Sequence, residues 1–140
     1  MIQRLQSLWL LLASLCAFMT LKLPFFSGNI LVNNAKVFSQ FTAMSYMLLM
    51  ILTVIVAAGS LVTIFLYKNR GLQWKVALVL FVFSLLNIIM FYVAKGAYVA
   101  GEWTYNLSCL IAIAIPIFLL MAARAIYKDE KLVKSVDRLR

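Results

Sequence analysis

The side chains able to do chemistry are few and scattered. The four carboxylates are Glu102, Asp129, Glu130 and Asp137, and none stands inside an apolar run. There is no histidine, which removes imidazole ligation of haem, the commonest metal ligation and His-based acid–base catalysis. Cys16 and Cys109 lie in separate hydrophobic stretches with no C-x-x-C pair. A membrane thiol oxidoreductase needs paired, accessible thiols, so both cysteines read as small apolar filler. No nucleophile–base pair or metal set can be assembled, and the expectation is a non-enzymatic protein without a cofactor.

Uncharged polar residues remain: Ser14, Thr53, Ser60, Thr63, Ser84 and Asn87, all within apolar runs. Hydroxyls in such runs commonly bond back to their own helix or join two helices. An amide is costlier in lipid, so Asn87 should meet a partner on another helix, and it reads as an inter-helix polar contact rather than a substrate ligand. Transporters usually place a charge or a broken helix near the bilayer midplane. No charged residue stands near the centre of any apolar run here. Pro116 adds a kink and a freed carbonyl one turn earlier.

The elements that position these residues follow from composition. Of 140 residues, 66% are hydrophobic and 12% charged, with mean hydropathy +1.03; a soluble domain is about 45–50% apolar and about 25% charged. Charges divide the chain into long uncharged stretches, hydrophobic all round. Those stretches predict four transmembrane helices near 5–23, 41–67, 76–94 and 106–127, followed by a tail over 128–140. The fold class expected is all-α, one domain: an antiparallel four-helix transmembrane bundle with a C-terminal cytoplasmic helical extension. The first stretch also resembles a signal peptide, but cleavage after Ala17 would put Leu15 where a small residue is needed, so it is read as a retained span. Within 24–40, Pro24 stops the first helix. Ile30–Phe38 has the pattern of a small hairpin turning at Asn33 and Asn34, which would need support from the 95–105 loop.

Orientation follows from the bases. Arg4, the loop residues Lys68, Arg70 and Lys75, and the tail residues Arg124, Lys128, Lys131, Lys134, Arg138 and Arg140 fall on one side; Lys22, Lys36 and Lys95 fall on the other. Both termini are therefore expected in the cytoplasm, and the net charge of +9 reports topology rather than nucleic-acid binding. Trp9, Tyr67, Trp74 and Tyr127 would lie at the inner interface, and Tyr92, Tyr98, Trp103 and Tyr105 at the outer one. In the tail, Leu132, Val133, Val136 and Leu139 share one helical face. Asp129 and Glu130 are placed to bridge to Arg70 or Lys68. Such pairs, if exposed, would orient the tail without holding the fold, so loss of 128–140 should be tolerated. The expected partners are anionic headgroups at the cytoplasmic face, with a protein partner or a second copy as further occupants of this basic surface. The alternative function is a small oligomeric transporter or channel.

Three segments carry a resemblance: Met1–Gln6, Tyr67–Gln73 and above all Ala123–Arg140. They resemble an uncharacterised bacterial family of small four-span membrane proteins, filed only as a domain of unknown function. Gly71 and Val136 depart from that pattern, where a basic residue and an alanine are usual. The resemblance implies a Gram-negative inner-membrane protein and implies no activity.

Overall fold

The computed structural model describes residues 2–32, 35–99 and 101–137. Four helices carry most of the chain: α1 Ile2–Lys22, α2 Met47–Phe65, α3 Arg70–Ala94 and α4 Cys109–Asp137. The stretches Leu5–Lys22, Met47–Lys68, Arg70–Ala97 and Cys109–Val133 are long and apolar enough to cross a membrane. Each helix packs against its neighbours in sequence, and α1 against α4 closes the ring. Contacts give the directions. Thr53 meets Asn87 and Thr63 meets Gln73, so α2 and α3 run antiparallel. Gln6 reaches Ala125 at one end of the α1–α4 pair, while Thr20 and Ala112 line one cavity near the other.

Small side chains let these helices approach. Ala13 and Ala17 of α1, Ala57 of α2, Ala77 of α3, and Ala122 and Ala123 of α4 are buried around Leu10, Leu80, Leu119 and Ile126. On α2, Gly59 lies against Leu80, where an added Cβ would stand 2.6 Å from Leu80 Cδ2. The outside is the reverse of a soluble protein: Leu8, Leu11, Leu15 and Phe18 on α1, and Ile51, Val54, Ile55 and Val62 on α2, are exposed. Polar residues are inside instead, among them Gln6, Ser14, Thr53, Ser60, Thr63, Gln73 and Asn87.

The all-α expectation needs correction, because the connections at one end form a three-stranded sheet in the order β2-β1-β3. Strand β1 (Phe26–Val32) pairs antiparallel with β2 (Ala35–Phe41), and its first residues pair with β3 (Trp103–Tyr105). The chain enters it where Pro24, lacking an N–H, follows the last α1 bond, Leu23 N to Met19 O at 3.0 Å. Phe26 and Phe41 then stack at 4.8 Å, and Phe25 stacks on Phe91 of α3 at 4.4 Å. The hairpin is thus held by an aromatic layer that joins it to the helices, and by β3, which supplies the support from the 95–105 loop. The turn residues Asn33 and Asn34 lie outside the described residues.

Helix bounds shift accordingly. The second helix starts at Met47 rather than 41, since residues 35–41 are strand and Ala43–Ser45 form a 3₁₀ turn. The third starts at Arg70 rather than 76, because Asn69 O accepts from Leu72 and Gln73 N–H groups and opens the helix there. The fourth starts at Cys109 and continues without a break through Pro116 into the extension.

Candidate functional site at the charged end

Opposite the sheet, three segments meet: the first turns of α1, the turn between α2 and α3, and the last turns of α4. Two amides tie them. Gln6 Nε2 donates to Ala125 O at 3.1 Å, and Gln73 Nε2 donates to Thr63 O at 3.0 Å. Thr63 O also takes the Leu66 N–H at the end of α2, and Ala125 lies inside α4, so each glutamine adds a second donor to a helix carbonyl and thereby satisfies its own buried amide. Sequence reasoning missed both. Their signal was an amide in the first turn of an apolar segment, which reads as solvent-facing until the adjacent helix is known to cover it.

The carboxylates of the extension dock here. Arg70 Nη1 lies 2.9 Å from Asp129 Oδ2, with side chains 27% and 12% exposed. This pair is more deeply set than the exposed bridge expected. Glu130 Oε1 lies beside the next residue: a Cβ added to Gly71 would be 3.3 Å from it. The bare Cα of Gly71 lets that carboxylate approach the start of α3, where unpaired N–H groups favour negative charge. Trp74 meets Tyr127 edge-on, with ring centroids 5.7 Å apart.

The bases spread around this core. Arg124, Lys128 and Lys131 follow one another along α4 at helical spacing and are exposed, as are Lys68 and Lys75. Arg4 and Lys134 lie in helices, their side chains outside the described residues, as are Arg138 and Arg140 altogether. Leu132 and Val133 are exposed, so this part of the tail's apolar face is uncovered in the single chain.

At the sheet end two of the cations, Lys36 and Lys95, are engaged, while Lys22 is exposed. Lys36 pairs with Glu102, which also accepts from Asn29 Nδ2 at 3.0 Å. Hydrogen bonds from Lys36 first and Asn29 second hold the Glu102 carboxyl below the ordinary glutamate value. The Lys95 ammonium sits 3.9 Å above the Trp103 ring and 5.4 Å from that of Tyr92. Asn87 lies in neither end; it donates to Thr53 Oγ1 at 2.9 Å between α3 and α2. Among the described residues no group of three or more potential metal ligands occurs.

Residues 2–139 match the family described as "Domain of unknown function (DUF4293)". The chain belongs to that family. No curated protein and no solved structure matches it. In this DUF4293 member the matched region takes in the charged end, the helices and the sheet alike, and the family description names no activity.

Proposed function

We propose that the chain is a non-enzymatic, four-span helix bundle of the bacterial inner membrane, with both termini cytoplasmic and its charged end acting as an accessory surface for anionic headgroups. One observation carries this reading. Exposed Lys68, Lys75, Arg124, Lys128 and Lys131 gather at a single end of a body whose flanks are apolar. Lys and Arg concentrate on the cytoplasmic side of membrane proteins. Near an anionic leaflet each contributes on the order of 1 kcal/mol. The amphipathic continuation of α4 suits the same surface, resting Leu132 and Val133 at the headgroup boundary.

Two measurements test it. A reporter active only in the periplasm should be active when fused after Ser39 and silent after Arg140; the reverse pattern overturns the orientation. In nanodiscs, replacing phosphatidylcholine by phosphatidylglycerol should raise the thermal midpoint. Changing Lys68, Arg124, Lys128 and Lys131 together to glutamine should abolish that rise. A response unaltered by the quadruple change removes headgroups as the occupant and points to a protein partner.

A further inference from the structure

The hydrogen-bond inventory around Asn87 leaves one atom unaccounted for. Thr53 Oγ1 donates its proton to Leu49 O at 2.8 Å, so toward Asn87 it acts only as an acceptor. The amide nitrogen of Asn87 must therefore face Thr53, and its oxygen faces elsewhere. Asn87 is 6% exposed, and its Oδ1 is buried without a hydrogen-bond partner. Such an orphan in a low-dielectric interior is costly.

Asn87 lines a cavity of about 10 Å³, shared with Thr20 of α1, Ser84 of α3 and Ala112 of α4. Each hydroxyl on that wall has its proton engaged: Thr20 donates to Ala17 O at 2.8 Å and Ser84 to Phe81 O at 2.7 Å. Ala112 adds a backbone acceptor, because Pro116 has no N–H to offer its carbonyl. The wall therefore presents lone pairs from three helices. Whatever occupies the void must bring hydrogens or positive charge. The volume admits about one water molecule and nothing larger. A cation would have to exchange its hydration shell for neutral oxygens with no carboxylate among them, which burial makes unfavourable.

We propose that this cavity is a binding site for a single water molecule, which donates to Asn87 Oδ1 and to an acceptor on α4 or α1 and so joins the helices beneath the aromatic layer. Phe91 lines the cavity and stacks on Phe25, which separates the void from the sheet end. Ordered water is one of the ways a proline-containing membrane helix recovers its freed carbonyl. The site is independent of the charged end and of the reading given to it.

Methyl-resolved NMR of the full chain in nanodiscs tests the site. Cross-peaks at the water frequency are expected for the Thr20 and Ala112 methyls, and none for Ile113, which is exposed on the flank. Asn87→Leu should abolish them. Pro116→Ala, which restores the missing N–H without loosening the helix, should weaken the Ala112 peak. A wild-type chain without these peaks, or peaks unchanged in both variants, overturns the proposal. So does a shift of the Asn87 amide when sodium replaces choline at fixed ionic strength, which would assign a cation instead.

Discussion

Arg70 and Asp129 set the energetic weight of single residues here. An exposed ion pair contributes about 0.2–1 kcal/mol, whereas removing one partner of a buried pair costs about 3–5 kcal/mol. With side chains 27% and 12% exposed, this pair falls between those limits. Asp129→Ala should therefore destabilise by about 1–3 kcal/mol. A double-mutant cycle with Arg70→Met should return a coupling of like sign, and additive single changes would mean the pair holds nothing. Glu102 behaves differently because it responds to pH. Its carboxyl titrates below the ordinary glutamate value. The stabilisation it supplies is complete above the unfolded value and is lost as pH falls through the lower folded one. The resonance of the Trp103 indole, beside Glu102 on β3, should move with that acid transition. In Glu102→Gln the transition should vanish.

At the scale of elements, the sheet is the part that local sequence supports least. An isolated hairpin is marginal in water, and this one depends on its contact with β3 and on the aromatic layer. Gly28 is the point of closest approach. A Cβ there would lie 2.7 Å from Glu102 O, 2.7 Å from Trp103 Cβ and 2.8 Å from Trp103 Cα. Backbone cannot step aside as a flexible side chain can, so Gly28→Ala should push β3 off β1. Amide exchange at Asn29, which donates to Glu102 O at 3.2 Å, should accelerate while exchange within α2 stays unchanged. Protection at Asn29 equal to wild type would mean the strands adjust. The turn after α3 closes through Gly101, whose φ of +83° suits a residue without a Cβ.

For the whole molecule, the docked part of α4 ends near Glu130. Ile126 is fully buried and Asp129 is 9% exposed, while Lys131, Leu132 and Val133 face outward. Removing 131–140 should leave thermal stability within about 0.5 kcal/mol, as surface changes do, and should reduce the response to phosphatidylglycerol. Removing 128–140 also strips Asp129 from a half-buried Arg70, so it should cost what Asp129→Ala costs. That revises the expectation that the longer deletion would be tolerated. Equal midpoints for the two deletions would return the tail to a purely orienting role.

Four apolar helices, their approximate places and the segregation of bases were legible in composition and charge spacing, because the demand for uninterrupted apolar length is local and additive along the chain. The match over 2–139 agrees with the resemblance read in the tail and loops as far as a domain of unknown function. Asn87 was readable as a residue in need of a partner, but not that the partner was Thr53. Other features needed the third dimension. Gln6 and Gln73 act on carbonyls of Ala125 and Thr63, and only the packing of α1 on α4 and of α3 on α2 brings those groups within reach. Strand β3 is three residues long and carries no periodic signal of its own; it is a strand because β1 offers it a ladder. The depth of Asp129 was equally hidden, since burial depends on how far α4 runs beside α3. Local chemistry sets which segments must be helical and apolar, while hydrogen-bond satisfaction between segments distant in sequence is decided only when the helices meet.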